Sequence, residues 1–220
     1  MLTKYQEALN NLEEKSYSFA KEIEEAFLLV TQSLESKDLN SLNAAKSKVK
    51  GSNKAESKID MKIIETLALY SPEARDLRGV VTLMKIVGEF SRISDYVLAQ
   101  VNTVSQEILE DENSIDDVTR VSFYKSTLKA LSSSVELIKV KDENILHDLI
   151  RDISIEESKC DDFVSILEKN IISSICDNEQ DIPYFAKRLN SVRKMERISD
   201  RCVTIAKLKR YALEGGKLKL

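Results

Sequence analysis

Turn-forming residues are scarce in this chain. Its 220 residues include five glycines and two prolines, where average usage would give roughly 15 and 11. A β-sandwich or barrel needs a turn every ten residues or so, and this sequence cannot supply them. Aromatics are also few, at 6%, against 32% charged and 42% hydrophobic residues. That balance suits long amphipathic helices, so the expected fold class is all-α.

Other absences narrow the function. No apolar run reaches about 18 residues, so direct membrane insertion is not expected. The start, Met1-Leu2-Thr3-Lys4-Tyr5-Gln6-Glu7, has no apolar leader core. With 37 acidic against 33 basic residues the net charge is −4, which supplies no positive field for nucleic acid. The cysteines Cys160, Cys176 and Cys202 show no Cys-x-x-Cys spacing. They fit buried thiols in a reducing compartment, and a cytoplasmic location is expected. There is no phosphate-cradling glycine loop, which argues against nucleotide binding. His147 is the single histidine, with Glu143 four residues before it. The Glu-x-x-His pattern of di-iron bundles is therefore missing, and His147 is expected at the surface. Without a histidine beside them in pattern, the cysteines are expected as core filler and not as nucleophiles.

What the sequence does have is helical periodicity. Leu2, Tyr5, Leu9, Leu12, Ser16, Phe19, Ile23, Ala26 and Val30 advance by threes and fours, a seam that must lie along another helix. Lys37-Asp38-Leu39-Asn40 ends it, and a second helix is expected over 41–70. Its weak stretch is Lys50-Gly51-Ser52-Asn53-Lys54, where propensity alone would allow a loop. Ser71-Pro72-Glu73 reads as an N-cap, a first-turn proline and an acid on the dipole, starting a third helix to about residue 107. The polar stretch 109–113 is the expected boundary. A second trio follows at roughly 114–139, 142–176 and 182–214. Asp181-Ile182-Pro183 starts its last helix and Gly215-Gly216 stops it. Short connections make neighbours antiparallel. The expected architecture is two tandem antiparallel three-helix bundles, 1–110 and 111–220.

The halves echo each other. Arg92-Ile93-Ser94-Asp95 recurs as Arg197-Ile198-Ser199-Asp200, and Glu56 and Asp60 share the i, i+4 spacing of Glu157 and Asp161. Together with matched proline starts, this indicates internal duplication.

The strings Tyr70-Ser71-Pro72-Glu73-Ala74-Arg75-Asp76-Leu77-Arg78 and Leu83-Met84-Lys85-Ile86-Val87-Gly88-Glu89-Phe90-Ser91-Arg92-Ile93-Ser94-Asp95 resemble the PhoU family of phosphate-uptake regulators. Met195-Glu196-Arg197-Ile198-Ser199-Asp200 is similar to the same motif in the last helix. The resemblance implies two three-helix bundle repeats, a helical course through 50–53, and a regulator that is not an enzyme. It implies contacts with a phosphate ABC transporter ATPase and/or a phosphate-sensing histidine kinase. It further implies paired Glu/Asp-x-x-x-Asp motifs that bind metal in some members. The candidate metal residues are then Glu157, Asp161, Glu196 and Asp200, and in the first half Glu56, Asp60 and Asp95. There Ser91 replaces the expected acid, so the second half should bind more tightly. Oxygen-only ligands suit Mg, Mn or Fe. Two other settings are a cytosolic domain or accessory subunit of another phosphate or ion transporter, and a carboxylate-bridged metalloenzyme. The missing histidines disfavour the latter. Homodimer formation stays open.

The charges also have a structural reading. Residues 187–220 carry eleven Lys or Arg against three acids, while 142–168 carry nine acids against Arg151 and Lys159. Salt bridges between these helices would absorb much of that charge. On a helical wheel with Met195 at the origin, Glu196 and Asp200 flank an apolar stripe of Ile198, Ser199, Cys202, Val203, Ile205 and Ala206. Arg193, Arg197 and Arg201 fall on the far face, available to steer a partner. Asp76 is expected as a dipole-favoured acid and Arg78 as a solvated base.

Overall fold

The computed structural model describes residues 2–110, 117–177 and 182–218, with side chains for 4–110, 118–175 and 182–218. It contains seven α-helices, and no strand occurs among the described residues. They are α1 (Leu2–Ser36), α2 (Leu39–Val49), α3 (Ser52–Tyr70), α4 (Ala74–Leu109), α5 (Asp117–Leu137), α6 (Glu143–Asp177) and α7 (Ile182–Glu214). The expected all-α pair of bundles forms, with the second helix of the first bundle split into α2 and α3. In the first bundle α1 packs on α2, α3 and α4, and in the second α5, α6 and α7 pack together. The bundles join along α4 against α7 and α1 against α5.

The seam of α1 is buried as its spacing demands. Leu12, Ser16, Phe19, Ile23, Ala26 and Val30 lose nearly all exposure, and Phe27 stacks on Tyr124 of α5 at 5.7 Å between ring centroids. Each large apolar side chain so buried contributes about 1.5–3 kcal/mol. Lys37 turns the chain with φ +54. Asp38 then caps α2, its carboxylate accepting from Asn40 N at 2.9 Å and Ser41 N at 3.3 Å. Asp142 does the same for α6, accepting from Asn144 N and Ile145 N.

Two local expectations fail. The helix expected over 41–70 is broken, and the helical course implied for 50–53 does not hold at Lys50 and Gly51. Gly51 sits at φ +97, a left-handed conformation that glycine takes without a Cβ penalty. Propensity was the better guide there. Ser71 is also not an N-cap. Its N–H returns to Leu67 O at 3.0 Å, which makes it the C-cap of α3 at φ +42. Glu73 takes the N-cap position of α4 without a side-chain bond, and Pro72 sits in the linker. Part of the expected 109–113 boundary, the expected Asp181 start and the side chain of Cys176 lie outside the described residues.

Candidate functional site

α6 and α7 run antiparallel and set the four second-half carboxylates within reach of one another's charge. Glu157 and Glu196 are half-buried, and Asp161 and Asp200 are exposed. Burial and then the Asp161 and Asp200 charges hold the Glu157 carboxyl above its ordinary value. Burial, Asp200 and Asp161 do the same to Glu196, and burial and Asp161 to Asp200. Asp161 is thus felt by all three partners across two helices. Clustered like charges destabilise the fold unless a cation joins them.

The neighbouring cations are mostly committed elsewhere. Arg193 Nε lies 3.2 Å from Glu168 Oε1. Arg197 and Arg201 lie beside the Tyr96 phenol and hold it below its ordinary value. Lys207 faces Glu157 without closing an ion pair. The donor set is oxygen only, which fits a hard divalent ion. Among the described residues, no three Asp, Glu, His or Cys side chains stand close enough to share an ion as placed. Rotation of the exposed Asp161 and Asp200 would have to complete a site.

The first-half candidates are not brought together. Ser91 Oγ donates to Asn53 Oδ1 at 3.2 Å, and a Cβ on Gly88 would meet Glu56 Oε1 at 3.5 Å. In that antiparallel register Asp60 lies a further turn from Asp95. Burial and the Glu56 charge raise Asp60, while Asp95 is exposed on the other side of Ser91. Three acids therefore line one helix pair without converging.

The expected far face of arginines is corrected by the bundle junction. Arg201 Nη1 binds Glu89 Oε2 at 2.8 Å, and Arg92 Nη1 binds Glu89 Oε1 at 2.6 Å. A helical wheel sees only one helix, and here α4 covers that side of α7. Arg78 is likewise no solvated base. Its Nε donates to Ala212 O at 3.3 Å, and its guanidinium lies over the Tyr211 ring. Gly215 follows at φ +81, where a Cβ would stand 2.9 Å from Arg78 Nη1. His147 is exposed as expected, paired with Glu214. Cys160 and Cys202 are core residues, with thiols pushed by burial to about 11 and about 12.

Comparison with known proteins can be set against this geometry. Residues 17–104, spanning most of α1 through α4, match the PhoU domain family model. Over that span the chain is similar to a PhoU domain. It is 26% identical over 216 residues to the phosphate-specific transport system accessory protein PhoU homolog of Streptococcus pneumoniae, covering 96% of this chain and 94% of that one. Escherichia coli PhoU is 25% identical over 76% of this chain and 67% of its own. Crystal structures of PhoU from Pseudomonas aeruginosa and Streptococcus pneumoniae superpose with TM-scores of 0.86 and 0.83, at 18% and 21% identity. The first covers 96% of this chain and 100% of its own, the second 98% and 99%. The PhoU resemblance read from the motif strings is borne out.

Several polar groups of this PhoU fold escaped the sequence reading. Gln100 accepts from Tyr124 Oη at 2.6 Å and Ser191 Oγ at 2.8 Å, a buried tie between the bundles. Glu89, Gln100 and Lys209 are buried polar residues, and Lys209 Nζ donates to Ile138 O at 2.9 Å. The available signal was position. Each interrupts an apolar stripe at helical spacing, where a polar group needs a partner.

Proposed function

We propose that the chain is a cytoplasmic regulatory accessory protein of phosphate transport and phosphate-responsive signalling, acting through protein contacts and holding a divalent metal at Glu157, Asp161, Glu196 and Asp200. Near-full-length likeness to PhoU accessory proteins supports the regulatory role. The single observation that carries the metal reading is the crowding of four carboxylates, in which burial and mutual repulsion outweigh the nearby Lys and Arg at Glu157, Glu196 and Asp200. The four acids would hold a Mg, Mn or Fe ion, which would neutralise their mutual repulsion. The partners are a phosphate transporter ATPase, a phosphate-sensing histidine kinase, or both. Arg201 belongs to the bundle junction, so docking falls to other surfaces.

Two measurements test this. Deleting the gene in its host should leave phosphate uptake unrestrained in high phosphate, and the intact gene should restore restraint. Uptake that ignores the deletion would point to another transporter setting. Titration calorimetry with Mn²⁺ or Mg²⁺ should show binding that Asp200→Asn largely removes and Asp95→Asn barely changes. Absence of heat in the unaltered protein would return the acids to an electrostatic role.

A further inference from the structure

Glu107, Arg120 and Arg188 form a second charged cluster, where the end of α4 meets the starts of α5 and α7. All three side chains are nearly enclosed, at 12%, 11% and 7% exposure. Arg120 Nη2 lies 2.7 Å from Glu107 Oε2, although its N–H bonds are not aimed at that oxygen. Arg188 Nη2 is 3.9 Å from Glu107 Oε1, a charge contact and no hydrogen bond. Among the described residues, Arg188 Nε and Nη2 are buried without an acceptor. Two guanidiniums thus share one carboxylate. The adjacent Tyr124 adds no charge, since burial holds its phenol above its ordinary value.

A buried cation with orphaned donors is costly, so such a group calls for a counter-ion. The identity of the free atoms says which kind. Nε–H and Nη2–H share one edge of the guanidinium and run parallel, the fork that takes two oxygens of one oxyanion. A point anion would use only one arm well. Arg188 borders a cavity of about 20 Å³ walled by Phe123, Leu167 and Met195, and another of about 20 Å³ beside Gln106 and Lys187. As placed, each space holds about one water and excludes a nucleotide or a peptide, so a small oxyanion would take that water's place as the lining side chains part. The Tyr184 ring, 5.0 Å from the Arg188 guanidinium, closes a further side.

We propose that this cluster binds a small inorganic oxyanion of the orthophosphate class, held on the Nε–Nη2 edge of Arg188 with Arg120 as second cation. The site stands on the arginine geometry and not on the regulatory reading, to which it would add a directly sensed effector.

The test is thermal unfolding and calorimetric titration of the full chain in metal-free buffer at fixed ionic strength. Orthophosphate, sulfate, acetate and chloride are compared. Orthophosphate should raise the melting temperature and bind with measurable heat, and chloride should do neither. Glu107→Gln raises the local charge by one and should tighten phosphate binding by about tenfold. Arg188→Met should abolish it. Arg188→Lys keeps the charge, loses the fork and should weaken binding by about tenfold or more, which serves if the methionine variant does not fold. Equal responses to chloride and phosphate would overturn the oxyanion assignment, and so would an unaltered protein that ignores every anion. Weaker phosphate binding in Glu107→Gln would overturn the charge argument. None of these failures touches the uptake phenotype that tests the regulatory role.

Discussion

Lys209 and the acidic quartet are groups whose surroundings work against their charge, and pH exposes the cost. Burial pushes the Lys209 ammonium from 10.5 down to about 8, with Glu13 opposing and Lys141 adding to the shift. The unfolded chain then binds this proton more tightly than the folded one. Stability should be flat below pH 8 and rise between pH 8 and 10.5. Lys209→Met removes the buried charge but orphans the Ile138 carbonyl, so a net gain of about 1–2 kcal/mol at neutral pH is expected. Denaturant midpoints across that range check both, and a loss of stability at neutral pH would mean the ammonium holds the fold. The quartet works oppositely. Glu157, Glu196 and Asp200 are raised in the folded state, so without metal, stability falls as pH climbs from ordinary carboxylate values through the raised ones. Asp161→Asn removes the charge that all three feel. It should flatten that slope and add about 0.5 kcal/mol, discounted because Asp161 is exposed.

At the scale of elements, the α2–α3 break depends on one backbone conformation. A Cβ at Gly51 meets nothing within 4 Å, so the cost of alanine there is its φ of +97 alone. Gly51→Ala should lower stability by about 1 kcal/mol with an unchanged denaturant slope. Fusion of the two helices would show instead as a gain in helical circular dichroism. The same break explains much of what the sequence could and could not reveal. The seam of α1, its end at Ser36 and the stop at Gly215 were legible because periodicity and capping are local. Ser71 misled because a local N-cap signal lost to the closing turn of the preceding helix, whose Leu67 carbonyl claims its N–H. Within α6 and α7 the i, i+4 spacing of the acids was readable, and antiparallel packing sets the two pairs near enough for each to feel the other's charge. In the first bundle the break at Gly51 sets α3 so that Asn53 meets Ser91 and Glu56 meets Gly88. No spacing within one helix encodes that register. The fates of Arg78 and Arg201 were hidden for the same reason, since each depends on a helix from the other half.

The whole molecule is two bundles welded along α4 and α7 by both apolar and polar contacts. One contiguous core runs from Leu12 of α1 to Leu208 of α7. Across it lie the Gln100, Tyr124 and Ser191 bonds, the Arg78 clamp on Ala212, and Glu89 between Arg92 and Arg201. A repeat that arose by duplication need not fold by halves once its halves share a core. Calorimetry should therefore show one transition whose calorimetric and van't Hoff enthalpies agree. Glu89→Gln tests the polar part of the weld. Glu89 is 8% exposed, so losing its charge leaves Arg201 against a neutral amide in a half-buried site. Arg201 keeps 30% side-chain exposure, which lets water soften the loss to about 1–2 kcal/mol. The transition should move down in temperature and stay single, because the apolar core still joins the bundles. Two resolved peaks in the unaltered protein would mean that the halves fold separately, and the shared core contributes less than its burial implies.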